Sequence, residues 1–319
     1  MPGYDVAAWL EKRGDKESWR CQLNTPILFS VSYAGGWGQH KLDLIPFLEK
    51  AAALGYPAVE LGAKRPHLSP VDYPNGESVR EIKSVADRLN LHIATIAGYT
   101  DFTAGSQAKE VPFVEMQILN VRQLAELGHA LGARIIRVFT GYYTDLADHH
   151  TDWTKCVTAL RECAAVCADF GLILGIQNHH DVGVDVAAFG ELLDDINHPN
   201  AKAMFDPWSI ALHGADLYQA AKEMAPRMVQ TTLADYIRLP RWQYRPALIN
   251  YQPIEPAAVK AVPLGEGFLD LDGFFRGLKE GGFQGDVAYE ICSPIRGGGS
   301  EANLDAAARH ALQKIRALV

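Results

Sequence analysis

Residues 172–181 read LILGIQNHHD, an apolar run that breaks into a cluster of amides, imidazoles and a carboxylate. Two later stretches have the same form. Residues 203–208 read AMFDPW and end on Asp206; residues 287–294 read VAYEICSP and turn polar at Glu290. A short apolar run bounded by polar or turn residues is the signature of a buried strand. Polar groups at the carboxyl ends of successive strands are how a parallel barrel assembles a site.

The rest of the chain repeats this grammar. Strands are expected at residues 27–33, 58–62, 92–97, 134–140, 172–177, 202–206, 228–233 and 286–291. Helical periodicity covers residues 42–54, 78–89, 114–131, 152–170, 187–196, 217–224, 271–279 and 304–318, with Gly or Asn stop signals after several of them. Strands alternating with helices imply parallel βαβ units, and eight of them make a (β/α)₈ TIM barrel. An open doubly wound sheet is the competing arrangement, but no Gly-rich dinucleotide turn follows the first strand. The reading is a single barrel domain over residues 27–319 preceded by an N-terminal extension, residues 1–26, with a short amphipathic element at Val6–Lys12. Residues 235–264, rich in aromatic residues, Arg and Pro, are read as a long loop after strand seven. Such a loop either serves the site or is an arm for packing or for contact in a homo-oligomer.

Composition excludes several classes. The 319 residues are 48% hydrophobic and 21% charged, with a formal net charge of −8. An acidic chain lacks the basic face that a nucleic-acid partner needs. No apolar run approaches a membrane span, and the charged start does not resemble a secretory signal. Cys156, Cys163 and Cys167 share one helical face and read as core packing, so a reducing cytoplasm is the expected compartment.

Alternate residues of a strand point the same way. That places Gln177 with Gly175, Asp206 with Met204, Glu290 with Ala288, and Gln230 with Thr232 on the inward side. Asp206 and Glu290 suit a hard divalent cation, and Gln177 is a weaker neutral donor. Gln230 or Thr232 would complete the set from strand seven. Asn178 and Trp208, beside these donors, are candidate substrate contacts. His179 and His180 could act on a substrate proton or hydroxyl near neutral pH. His67, in a loop after strand two, is a further substrate-binding candidate. Arg296, before Gly297-Gly298-Gly299, is another, since loops after the last strands commonly cradle anions.

At this point the chain resembles the xylose-isomerase-like barrels, which include sugar isomerases, ketose 3-epimerases, inosose dehydratases and hydroxypyruvate isomerases. The resemblance runs from about residue 27 to the end. It is most specific from Leu264-Gly265-Glu266-Gly267 through Gly281-Gly282 and Gly285 to Tyr289-Glu290. It implies a divalent ion, commonly manganese, magnesium or cobalt, held by Glu, Asp, His and Glu from strands five to eight. Asp206 and Glu290 match the second and fourth of these. Gln177, followed by Asn178 and His179, stands where the first Glu is expected. A pattern like His-x-His-x-Lys-Asp falls on residues 230–235, with Gln230, Thr232 and Ala234 in place of both histidines and the lysine, and Ser209 replaces a further His.

The implied function is metal-assisted sugar isomerisation or epimerisation by proton transfer beside a carbonyl, with Glu290 as principal base. Gln177 cannot take a proton, so a one-base lyase or dehydratase acting on a keto-sugar or keto-glycoside is the alternative. A carbohydrate-binding barrel without catalysis is the third reading.

Overall fold

The computed structural model describes residues 24–319 apart from Asn75, Ser106, Gln107, Lys109, residues 144–147 and His180. The N-terminal element at Val6–Lys12 therefore lies outside the described residues. Eight parallel strands close into a barrel. They are β1 Pro26–Phe29, β2 Ala58–Gly62, β3 His92–Ala97, β4 Ile135–Val138, β5 Ile173–Gln177, β6 Ala201–Met204, β7 Met228–Leu233 and β10 Asp286–Tyr289. Parallel strands demand crossover connections, and the helical segments supply them. These are α1 Leu44–Ala53, α2 Gly76–Arg88, α3 Phe113–Leu131, α4 His149–Asp169, α5 Val186–Ile196, α6 Pro207–Leu212, α7 Leu217–Met224, α8 Leu271–Glu280 and α9 Glu301–Leu318. Among the described residues no helix is long and apolar enough to cross a membrane.

The main core lies between barrel and helices, where Leu28, Val59, Leu61, Ile96, Ile136, Val138, Leu174 and Ile176 pack outward against helix residues. Cys156, Cys163 and Cys167 of α4 are buried free thiols in this layer, as their spacing predicts. A smaller cluster of Ile27, Ala58, Ala94 and Ala288 lies on the inward side near the strand starts. The lumen is thus packed at one end, and polar side chains gather toward the other.

Two features differ from the sequence reading. The short helix α6 follows β6 immediately, with Asp206 as its N-cap and Pro207 in its first turn. The stretch after β7 is not a loop. It is an antiparallel ribbon of β8 Asp235–Arg245 and β9 Asn250–Val262. Prolines at 240, 253 and 256 argue against strands only when a strand has two neighbours. In a two-stranded ribbon both strands are edges, and the pairing shifts register between Leu239 and Arg241, around Pro240. Tyr236, Ala261 and Val262 at the ribbon's base are buried, whereas Trp242, Leu248, Ile249 and Tyr251 near its tip are exposed.

One carboxylate ties the ribbon's base to the barrel. Buried Asp235 accepts from the amides of Gly265 and Gly267 through Oδ2, both at 2.9 Å, and from Tyr236 and Leu269 through Oδ1 at 2.9 and 3.3 Å. A Cβ on Gly267 would stand 2.0 Å from Asp235 Oδ1, so that position needs glycine for close approach. The Gly265-Glu266-Gly267 turn is therefore a carboxylate cradle. We expect Asp235→Ala to leave these amides unsatisfied and to lower the unfolding free energy by about 3 kcal/mol, read by urea titration. Asp235→Asn, which keeps one acceptor oxygen, should lose less.

Candidate active site

The carboxyl ends of β5, β6, β7 and β10 bring Gln177, Asp206, Gln230, Thr232 and Glu290 into one buried region. Asp206 is completely enclosed. Its Oδ1 accepts from the Trp208 amide at 3.0 Å, capping α6, and its Oδ2 accepts from Gln177 Nε2 at 3.2 Å. Asn178 holds the same strand end in register, accepting from the Asp206 amide at 2.6 Å and donating to the Asp206 carbonyl at 3.1 Å. Asn178 thus positions Asp206, and its polar atoms face that backbone.

Glu290, just past β10, is buried and accepts from the Cys292 thiol at 3.4 Å; Tyr236 Oη is 3.3 Å from the same sulfur. Burial pushes the Asp206 carboxyl well above its usual range, with the Glu290 charge adding to the effect. Burial also raises Glu290, against the opposing pull of Arg137. Two acidic groups that sense each other away from water favour sharing protons, or a cation between them.

Gln230 does not face this pair alone. Its Nε2 donates to Glu60 Oε2 at 2.5 Å and its Oε1 accepts from Thr95 at 2.6 Å. β3 and β7 are four strands apart around the barrel, so this amide bridges the lumen from side to side. Thr232, one inward position further along β7, is buried with no hydrogen bond to its Oγ1.

Those facts bear on the divalent ion that the resemblance implies. Asp206 and Glu290 offer anionic oxygens that receive only neutral donors, and Thr232 offers a hydroxyl with no hydrogen bond among the described residues. Gln177 can add an amide oxygen only by turning over, and Gln230 has both amide atoms engaged. Among the described residues no three His, Cys, Asp or Glu side chains gather as a metal centre. The set fits a hard ion bound through oxygen, with two anionic donors and neutral ones completing it. Of the two strand-seven candidates, Gln230 has its amide atoms engaged, whereas Thr232 Oγ1 has no hydrogen bond among the described residues.

A cleft of about 440 Å³ opens beside this region, lined by Tyr142, Tyr143, His179, Asp181, Trp208 and His213 among others. The His179 ring packs 4.8 Å from Phe139 and 5.6 Å from Trp208. Trp208 in turn packs on Tyr236 at 5.2 Å. A mostly apolar, aromatic cleft with a few polar groups suits a small ligand. His180 lies outside the described residues.

Two candidates sit elsewhere. His67 is buried beside α1, with Nε2 3.2 Å from the Leu42 carbonyl and its ring 5.5 Å from Phe47. Burial pushes its imidazole down to about 4, so it is neutral at physiological pH. Arg296 is exposed and pairs with Glu266, and the Gly298 carbonyl beyond it is taken by Asn303. Within the chain that guanidinium already has a carboxylate partner.

The structure adds two residues that reading strand ends missed. Glu60 in the middle of β2 and Arg137 in β4 are both about 1% exposed, with Glu60 Oε1 3.6 Å from Arg137 Nε. The guanidinium carbon stands 4.1 Å from the Phe139 ring centre, 5.0 Å from Tyr99 and 5.4 Å from Phe29. Their signal was a lone charge inside an apolar strand, AVELG and IIRV. Burial pushes Glu60 up to about 7, with Arg137 opposing and Glu290 reinforcing the shift.

This shift predicts a pH dependence. The folded state holds a proton on Glu60 that the unfolded chain releases near its ordinary value of 4.5. The stabilisation is therefore full below about pH 4.5 and lost as pH rises through about 7, a change of about 3 kcal/mol. Urea unfolding of the wild type should show falling stability across this window. Glu60→Gln should flatten the slope; an unchanged slope would assign the dependence to other groups.

Residues 48–318 match the family model described as the xylose isomerase-like TIM barrel. A comparison with curated protein sequences gave no match. Among solved structures, the chain is similar to D-psicose 3-epimerase from Clostridium cellulolyticum H10, with TM-score 0.71 and 17% identity over 92% of this chain and 99% of that one. It is similar to a xylose isomerase domain protein from Alicyclobacillus acidocaldarius, with TM-score 0.70 and 19% identity over 92% and 98%. A third similar structure is the probable 3-DHS dehydratase of petrobactin synthesis from Bacillus anthracis, with TM-score 0.68 and 17% identity over 92% and 98%. At these identities the structural likeness speaks for the fold, whereas the family match rests on the sequence itself. The chain belongs to the xylose isomerase-like TIM-barrel family.

Proposed function

We propose that this chain is an enzyme acting on a small sugar or related polyol by proton transfer beside a carbonyl, with Glu290 as the base. The observation that supports this most is the buried Glu290 carboxylate at a barrel strand's carboxyl end, raised by burial and sharing its region with Asp206. A base is most effective when its pKa approaches the working pH, and burial moves Glu290 that way. The Glu290 carboxylate takes the proton from the carbon next to the carbonyl. The C–H electron pair becomes the carbon–carbon double bond of an enediol-type anion, and the carbonyl pair moves onto oxygen. Asp206, Glu290 and Thr232 would hold a divalent ion, which when bound supplies electrostatic stabilisation for a developing oxyanion. His179, on the cleft wall beside Trp208, is placed to handle a substrate hydroxyl or return a proton. The substrate would enter through the aromatic cleft.

A lyase is the second reading, and a specific observation favours it. Gln177 turns an amide toward Asp206, so no ionisable group stands at the strand-five position to serve as the second base. Elimination needs one base and an acid for the leaving hydroxyl. The similar structure named a probable dehydratase shows that such chemistry has been ascribed to this fold.

Incubation with D-fructose, D-allulose and D-tagatose in deuterated water, followed by NMR, tests the proposal. Deuterium should enter at the carbon beside the carbonyl, and Glu290→Gln should slow entry by about 100-fold or more. Retained exchange in that variant removes Glu290 as the base. Loss of water from the sugar selects the lyase reading, and binding without exchange in the wild type selects a binding barrel. Manganese should raise the melting temperature of the wild type, with a gain of about 2.7 kcal/mol at a hundredfold excess over its dissociation constant. Asp206→Asn should abolish that gain.

A further inference from the structure

Glu60 and Arg137 leave polar atoms unsatisfied deep in the lumen. Glu60 Oε1 and Arg137 Nε and Nη1 are buried and make no well-formed hydrogen bond among the described residues. The closest approach of the pair, 3.6 Å, is an ion pair too long to be a hydrogen bond. Glu60 Oε2 has its own donor in Gln230, so Oε1 is held in place with spare acceptor capacity. The guanidinium is flanked by the aromatic rings of Phe29, Tyr99 and Phe139, which fix its plane and leave Nε and Nη1 without a well-formed hydrogen bond among the described residues. Unmade bonds of this kind are costly in a core and accumulate where a ligand completes them.

The position suits a ligand. The Phe139 ring touches both Arg137, at 4.1 Å, and His179 of the cleft wall, at 4.8 Å. The pair therefore lies one aromatic ring away from the cleft. Glu60, on β2, is two strands from β10 around the barrel and faces the same enclosed interior as Glu290. The chemical complement of two fixed donors beside one fixed acceptor is a carbonyl oxygen next to a hydroxyl. A lone anion would satisfy Arg137 but leave Glu60 Oε1 without a donor.

We infer that Glu60 and Arg137 form the subsite for the reacting end of the substrate, an α-hydroxycarbonyl, with Arg137 donating to the carbonyl oxygen and Glu60 accepting from the neighbouring hydroxyl. This rests on the proposed proton-transfer function and names the residues that hold the reacting atoms. Arg137 then also faces the oxygen on which charge develops, where a fixed donor has its largest effect. The subsite favours ketoses over alditols of equal length, because a carbonyl oxygen presents both lone pairs to the two Arg137 donors, whereas an alditol hydroxyl brings its own proton and a tetrahedral carbon into the same space.

The test uses the full chain, with D-fructose, D-allulose and D-tagatose as probes and the alditols obtained by reducing them as controls. In the wild type, ketoses should bind about tenfold more tightly than the alditols, whose hydroxyl can accept well from only one of the two Arg137 donors, leaving the other unpaired. The double substitution Arg137→Met with Glu60→Leu removes both charges together, which buried pairs commonly tolerate without unfolding. It should erase the preference and slow deuterium entry by about 100-fold or more. Should that variant not fold, Arg137→Lys and Glu60→Gln serve singly. Glu60→Gln should weaken ketoses but leave their deoxy analogues, lacking the neighbouring hydroxyl, unaffected. A folded double variant that keeps both exchange and ketose preference overturns the inference and leaves the proposed function standing. So does a Glu60→Gln penalty of equal size for deoxy analogues. A wild type that exchanges no ketose hydrogen overturns the proposed function, and the inference with it.

Discussion

The burial of charge in the barrel lumen is the constraint on which the site depends. Glu60, Asp206 and Glu290 share this interior with the guanidinium of Arg137. Away from water a carboxylate must find a partner, take a proton or bind a cation. Each does something different. Asp206 caps α6 and receives an amide from Gln177. Glu60 receives Gln230 and faces Arg137. Among the described residues Glu290 receives the weak thiol donor of Cys292, so its charge is met by less than that of Asp206.

The amides read differently in this light. Gln177 and Gln230 stand where the family pattern has an acid and an imidazole, and as isolated letters they suggest a site that has lost its ligands. In the folded chain both have work. Gln230 bridges β2, β3 and β7 across the lumen, and Gln177 reinforces Asp206. Neutral amides with one donor and one acceptor end can join a carboxylate to a hydroxyl without adding charge. The departures from the family pattern have thus been built into a hydrogen-bonded scaffold. Among the described residues of the lumen, polar atoms without a hydrogen bond include those of Thr232, Glu60 and Arg137.

Legibility varied with range. The eight barrel strands and their helices were readable because each is a local periodic signal with local stop signs. Asp206 and Glu290 were readable because a strand that ends in an acid stands out in an apolar run. Glu60 and Arg137 are single charges inside strands, and one strand cannot say whether its charge meets an opposite one. The ribbon after β7 was obscured by its prolines, whose meaning depends on how many neighbours a strand has.

The sequence by itself therefore determined the barrel, its order of strands and the two acids at their ends, since these follow from residue periodicity and short-range capping. Only the tertiary structure decided which polar atoms meet. That Gln230 belongs to Glu60 and Thr95, that Asp206 receives the amide of Gln177, and that Arg137 faces Glu60 are consequences of barrel closure. Closure brings residues 60, 95, 137, 230 and 290 into one enclosure, and no local pattern encodes a contact between residues 170 positions apart.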